Sequence, residues 1–441
     1  MTLSIVLQFL VVLAAIWMGA RSSGVGLGLW GAVGLLVLIV AFGVNPTSPP
    51  VDVMLIILAV IMAASVMDAA GGIDFLVRIA ERIIRANPKY VTIVAPLTTW
   101  TFTFLAGTGH IVYPLLPVIY ETAHQSGIRP ERPMAVATIA SQQAITASPV
   151  AAATAAMIGL FAEKGMTQWG LPQILMICVP ATLIGVLAAA VISMFVGKDL
   201  KDDPEYQARL KSGLVPVPKA PEARPPLKPS AKLSAFVFLT GVALVVLFGF
   251  FPSLRTLPGA KSALSMPIVI EIVMMSVAAI MLVITKVLVD EVPKTPTLRA
   301  GVVAVIGIFG LAWLGDSFIA AHKDVIVPAI GGWAKAAPWT FAFGLFFASV
   351  LLYSQAATTR ALMPLGIALG IPPQFLIAMF PSVNGYFFIP TYGSLIAAIN
   401  FDLSGTTKIG KYVLNHSFMI PGIVATAVAV VSGLFIASMI F

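Results

Sequence analysis

The apolar second half of this chain replays its first half and places an arginine inside the repeat. Ala356-Ala357-Thr358-Thr359-Arg360-Ala361-Leu362-Met363-Pro364-Leu365 aligns without gaps with Ala106-Gly107-Thr108-Gly109-His110-Ile111-Val112-Tyr113-Pro114-Leu115. Downstream, Ser382-Val383-Asn384-Gly385 followed by Pro390 aligns with Ser141-Gln142-Gln143-Ala144 followed by Pro149. Apolar stretches of about twenty residues recur throughout, long enough to cross hydrocarbon as helix. No run of alternating strands is present, so the spanning elements are helices. Two Gly- or Pro-interrupted elements per half are tolerated at membrane depth only beside protein or a water-filled cavity, which predicts an all-α polytopic transporter with a central site.

Composition excludes the soluble alternatives. With 59% hydrophobic and 10% charged residues over 441 positions, the chain cannot furnish a soluble surface around its core. The net charge of +8 fits an excess of Lys and Arg in cytoplasmic loops, and no nucleic-acid partner is expected. Cys178 is the single cysteine, which rules out a disulfide framework and a cysteine metal site within the chain. Residues 1–18 carry no positive residue before their apolar run and no small-residue cleavage site, and so read as a retained span. No phosphate-binding GxxxxGK[ST] loop, H-E-x-x-H pair or nucleophile elbow occurs. The chain is therefore read as a non-enzyme with no cofactor and no metal site.

Walking the chain gives a first repeat over 1–196: scaffold spans at 3–20, 24–44 and 52–68, an interfacial amphipathic helix at 74–87, and a re-entrant hairpin at 89–124 folded at Gly107-Thr108-Gly109. A broken crossing at 133–161, interrupted near Ser148-Pro149, and a span at 171–196 complete it. A linker at 197–232 carries Pro216, Pro218, Pro221, Pro225, Pro226 and Pro229 and is expected to be extended. The second repeat, 233–441, offers scaffold spans at 233–251, 265–289 and 300–316, a more polar stretch at 317–337, and a hairpin at 338–370. A broken crossing at 373–400 and a last span at 412–440 follow. An odd number of crossings per half makes the halves inverted. Of the 26 Lys and Arg, only Lys164, Arg255, Lys261, Lys323 and Lys335 fall on the face opposite the linker, and Arg360 lies within the membrane. The linker face is then cytoplasmic and both termini are outside. The Gly24, Gly28, Gly31 ladder permits close helix contact, with packing inside the subunit preferred over a dimer contact.

Arg360 is the strongest functional signal, because a guanidinium stays charged at any accessible pH and costs about 2.5–3.5 kcal/mol or more near the middle of a membrane helix. The expected compensation is a bound anion, whose carboxylate would match the guanidinium fork, set against a structural ion pair with Asp68 or Asp316 and against snorkelling to the interface from a shallower hairpin. Uncharged donors surround it in the repeat: Thr108, Gly109, Thr358 and Thr359 at the hairpin tips, and Ser141, Gln142, Gln143, Ser382 and Asn384 in the broken crossings. The plainer alternative is that Ser and Thr bond back to their own helices. His110 stands at the repeat position of Arg360 and could bind substrate, carry a proton or pack. Asp68 and Asp316 are candidates for cation coupling or for capping the stretch that follows them.

The stretches Gly107-Thr108-Gly109-His110-Ile111-Val112-Tyr113-Pro114-Leu115-Leu116-Pro117-Val118-Ile119, Arg129-Pro130-Glu131-Arg132-Pro133 and Ser141 through Pro149 resemble the Dcu family of anaerobic four-carbon dicarboxylate transporters. Ala69-Ala70-Gly71-Gly72-Ile73-Asp74, Phe380 through Tyr386 and Pro390-Thr391-Tyr392 extend the likeness over most of the chain outside the linker. The resemblance implies exchange, uptake or efflux of fumarate, succinate, malate and aspartate across a bacterial inner membrane. Net uptake of such anions would need a coupling cation, a proton or a sodium ion. It also implies an elevator-like carrier in which hairpins and broken crossings move against a scaffold that is commonly a homodimer. On this reading the cargo bridges the hairpin tips, with Arg360, Thr358 and Thr359 on one carboxylate and Thr108 to His110 with Ser141 to Gln143 on the other. An anion channel with Arg360 at a selectivity constriction is the alternative.

Overall fold

The computed structural model describes residues 3–22, 24–215, 225–260, 262–352 and 354–441, apart from the side chains of Ala20 and of 327–335. Pro216, Pro218 and Pro221, expected to be extended, lie outside the described residues. The described chain is helical, with only an isolated bridge between Ile409 and His416.

α1 (Leu3–Ser22), α2 (Gly26–Phe42) and α3 (Val51–Ala69) come first. The chain turns at Gly71, whose φ of 85° only glycine adopts cheaply, into α4 (Gly72–Ala86). In α4, Leu76, Val77, Ala80 and Ile84 are buried at helical spacing while Arg82 is exposed, the pattern of a helix lying on a surface. α5 (Val91–Ala106) and α6 (Val112–Gln125) are joined by a 3-10 turn at Gly109–Ile111. α7 (Glu131–Ile145) and α8 (Ala152–Glu163) are separated by a non-helical break, and α9 (Leu171–Ser193) follows.

The linker is not uniformly extended. Asp203 caps α10 (Pro204–Lys211), its carboxylate accepting from the Glu205 N–H at 2.9 Å and the Tyr206 N–H at 3.3 Å. An Asp followed by Pro at the first helical position is a helix start that the proline-rich surroundings obscured. Buried Arg129 fastens this helix by pairing with Asp203 and, at 2.6 Å, with Glu131.

α11 (Ala231–Phe250), α12 (Met266–Thr285) and α13 (Pro296–Gly307) open the second half. Here the expected span and polar stretch fuse: α13 runs through a π-helical turn at Ile308–Ala312 into α14 (Trp313–Ala336). No glycine pair follows Asp316 as Gly71-Gly72 follows Asp68, so nothing breaks the helix. The π turn sits on α2, where a Cβ on Gly28 would stand 1.9 Å from the Ile306 carbonyl oxygen and one on Gly31 2.5 Å from Gly310. Gly28 and Gly31 thus serve contact within the subunit, whereas a Cβ on Gly24 would meet nothing within 4 Å. α15 (Phe341–Leu352), α16 (Gln355–Ala368), α17 (Pro373–Met379), a 3-10 stretch at Phe380–Phe387 and α18 (Gly393–Phe401) come next.

α19 (Met419–Ile440) begins later than the expected 412. Asp402 organises the preceding loop, accepting from the N–H groups of Ser404 at 3.0 Å and Thr407 at 2.6 Å. Such local bonds compete with helix formation and explain the delayed start. Among the described residues six helices are long and apolar enough to cross a membrane: α3, α9, α11, α12, Pro296–Ile326 and α19. The protein is an integral membrane protein.

Candidate functional site

The α5–α6 turn is built to press against the α7–α8 break. Gly107 has φ 70°, and a Cβ there would stand 2.6 Å from the Val150 carbonyl oxygen. A Cβ on Gly109 would stand 2.5 Å from the Gln142 amide nitrogen. Ser141 donates to the Gly109 carbonyl at 3.2 Å and shares a 3.0 Å bond with Thr103, while Ser148 donates to the Phe104 carbonyl at 2.7 Å. Thr108 accepts from the His110 N–H at 3.4 Å, and the His110 ring stands edge-on to Tyr113.

On the other side, Ser354 caps α16, accepting from the Ala357 N–H at 3.2 Å. This presents Gln355 to a carboxamide network. Gln355 donates to the Gln142 carbonyl at 3.2 Å and to the Asn384 carboxamide oxygen. Asn384 donates to Gln143 at 3.3 Å, and Gln143 to Thr426 at 2.9 Å. Elements far apart in sequence are joined here: α7, α16, the 3-10 stretch and α19.

Between these elements and the helices α2, α3 and α13 lies a cavity of about 790 Å³. Of the residues singled out from sequence, Thr108, Gly109, His110 and Gln142 line it. Four helices begin on its wall: α8 at Ala152, α13 at Pro296, α16 at Gln355 and α18 at Gly393. α8 and α18 have no side-chain cap, so their first N–H groups and the positive ends of their dipoles are available to an anion.

The other sequence candidates sit elsewhere. Thr358, Thr359 and Ser382 donate to the carbonyls of Ser354, Gln355 and Met379 at 2.7, 2.7 and 2.6 Å, as Ser and Thr in helices commonly do. Ser141, Gln143 and Asn384 are engaged in the ties above. Arg360 is buried, only 1% exposed, and does not line the cavity. Its guanidinium pairs with Glu163 at 2.9 Å and Asp316 at 3.2 Å, the ion-pair compensation rather than an open anion site. Glu163 was missed from sequence because it ends α8, distant in sequence from the hairpin it meets. Gln355, at the first position of α16, was missed because its repeat partner is the apolar Leu105. Asp68 does not cap α4, the stretch that follows it, and accepts instead from the Thr297 hydroxyl at 2.7 Å, a residue that lines the cavity. Among the described residues no group of three His, Cys, Asp or Glu is placed to hold a metal ion.

Comparison with known proteins places these features in a family. A family profile described as "Anaerobic c4-dicarboxylate membrane transporter" matches residues 4–441. The C4-dicarboxylate transporter DcuA of Escherichia coli K12 is 43% identical over 435 residues, covering 98% of this chain and 99% of that protein. DcuA of Wolinella succinogenes is 42% identical over 439 residues, with 98% and 99% covered. The anaerobic C4-dicarboxylate transporter DcuB of Escherichia coli O6:H1 is 39% identical over 444 residues, with 98% of each covered. In fold, the YdaH transporter of Alcanivorax borkumensis is similar with a TM-score of 0.59 at 13% identity, over 93% of this chain and 89% of that one. MtrF of Neisseria gonorrhoeae is similar with a TM-score of 0.52 at 12% identity, over 93% and 85%. A polytopic helical chain matched from end to end by one family, and by relatives of its full length, belongs to the anaerobic C4-dicarboxylate membrane transporters, which are transporters and not enzymes.

Proposed function

We propose that this chain carries four-carbon dicarboxylates, namely fumarate, succinate, malate and aspartate, across a bacterial inner membrane by alternating access. The observation that carries the reading is the cavity where four helix N-termini converge beside His110 and Gln142. Such a site favours an anion with hydrogen-bond acceptors at both ends. Full-length relatives named as C4-dicarboxylate transporters supply the substrate class.

In this account the two halves, 1–196 and 233–441, are inverted repeats joined by the cytoplasmic linker, and both termini lie outside. The hairpins at 89–124 and 338–370 and the broken crossings at 133–161 and 373–400 form the moving, elevator-like unit. The remaining spans form the scaffold, which a homodimer would hold still. Thr108, Gly109, His110 and Gln142 touch the cargo, while Ser141, Gln143, Thr358, Thr359, Ser382 and Asn384 hold the tips and breaks in register. The cavity is bordered by Gly24, between α1 and α2, and by Pro296 at the start of α13, both on the predicted linker side. Cargo therefore enters this conformation from the linker face. Arg360 joins the moving hairpin to Asp316 of the scaffold on the other side of the cavity, so this contact must break for the unit to move. Exchange of fumarate, succinate or malate for one another moves no net charge, whereas net uptake needs cations, either protons or sodium ions.

Ligand-induced stabilisation of the purified protein tests the reading. A ligand that binds only the folded state stabilises by about 2.7 kcal/mol at one hundred times its dissociation constant. Succinate and fumarate should each raise the unfolding temperature in a saturable way, and butyrate, with one carboxylate, should not. Equal shifts from butyrate and succinate would remove the two-ended recognition on which the proposal depends.

A further inference from the structure

The positive charge on the cavity wall comes from α13, not from Arg360. Arg299 stands on the first turn of α13, is exposed, and lines the cavity. Among the described residues of the cavity wall it is the only Lys or Arg, and no Asp or Glu joins it there. No ion pair among the described residues engages it, whereas the charge of Arg360 is taken up by two carboxylates. A second, independent observation comes from the 3-10 stretch that follows α17. Tyr386 is only 4% exposed, lines the same cavity, and its buried hydroxyl has no hydrogen-bond partner. A buried hydroxyl left unpaired is destabilising, and a ligand acceptor would satisfy it.

Resting on the dicarboxylate reading, we propose that Arg299 meets one carboxylate of the cargo at the exposed end of the cavity and that the Tyr386 hydroxyl donates to the other at the buried end. Recognition is then asymmetric: a fixed charge at one end, and neutral donors with helix N-termini at the other. The guanidinium offers a two-point match to a carboxylate that a carboxamide cannot make. As the cargo leaves with the moving unit, a cation on α13 stays with the scaffold, so Arg299 would act in loading from the linker side.

Uptake of labelled succinate into proteoliposomes, together with thermal unfolding of the purified variants, tests both residues. Arg299→Gln should raise the half-saturating succinate concentration about tenfold or more, the worth of one charge-assisted contact, with the maximal rate far less affected. Arg299→Lys should recover part of that loss. Because Arg299 is exposed and no ion pair or side-chain hydrogen bond among the described residues holds it, neither variant should change the unfolding temperature. Tyr386→Phe should weaken succinate uptake several-fold while leaving the ligand-free protein at least as stable as wild type, since it removes an unpaired buried hydroxyl. A wild-type half-saturation in Arg299→Gln would overturn the Arg299 role while leaving the transport reading standing. A Tyr386→Phe variant that is destabilised yet transports normally would overturn the Tyr386 role. Absence of succinate uptake by the wild type would overturn the dicarboxylate reading and this inference with it.

Discussion

Arg360 shows how a membrane protein keeps a permanent charge in its interior. The guanidinium is shared between Glu163, at the end of α8, and Asp316, within the long α13–α14 helix, so each charged group has a partner across a helix boundary. Removing one partner of a buried ion pair costs about 3–5 kcal/mol, because the remaining charges are left unsatisfied. Arg360→Ala leaves two carboxylates facing each other and should lower the unfolding temperature of the purified protein as well as abolish transport. Arg360→Lys, with a point charge in place of a fork, should fall between the two. A normal unfolding temperature for Arg360→Ala would contradict the structural role. That an intramembrane arginine needs compensation was legible in the sequence. Which compensation it has was not, because Glu163 and Arg360 are brought together only by the packing of α8 on α16. Gln355 was hidden for a related reason: the repeat pairs it with Leu105, so the pattern that revealed the tips concealed their polar lining.

Among the elements, the apolar helices could be read from length and composition, since hydrocarbon thickness sets how long each must be. What could not be read is where local polar chemistry or backbone packing overrides that pattern. The π turn at Ile308–Ala312 follows from the fit of the helix against Gly28 and Gly31, which no apolar run reports. The loop before α19 follows from Asp402 and its neighbouring hydroxyls. In the linker, α10 is fastened by Asp203 and Arg129. Burial works against the Asp203 carboxylate, but the Tyr206 N–H and the Arg129 guanidinium outweigh it and hold its pKa below the ordinary value. A carboxylate with a depressed folded pKa contributes stability that is fully present above its unfolded pKa, about 3.9, and is lost as pH falls through the folded value. The clasp should therefore be insensitive to pH between 5 and 8 and loosen only below about 4. Limited proteolysis of the linker checks this: cleavage should stay constant from pH 8 to pH 5, and Asp203→Asn should speed it at every pH. Faster wild-type cleavage on going from pH 7 to pH 5 would contradict the assignment.

At the scale of the whole molecule, the proposed topology, drawn from the charge bias and an odd number of crossings per half, puts the linker inside and the turn after α11 outside. Cys178 is fully buried, so Cys178→Ala gives a background without accessible thiols. In that background a cysteine at Ser212, exposed in the linker, should react with a membrane-impermeant maleimide only after the membrane is opened. A cysteine at Ser253, exposed after α11, should react in intact cells. The reverse pattern would invert the orientation, and labelling of both in intact cells would remove the inverted-repeat account. The central claim is that one cavity is loaded alternately from two sides, and uptake of labelled succinate into proteoliposomes, empty or preloaded with fumarate, tests it most directly. The account predicts saturable uptake accelerated by internal fumarate. Non-saturating uptake indifferent to the internal anion would contradict it.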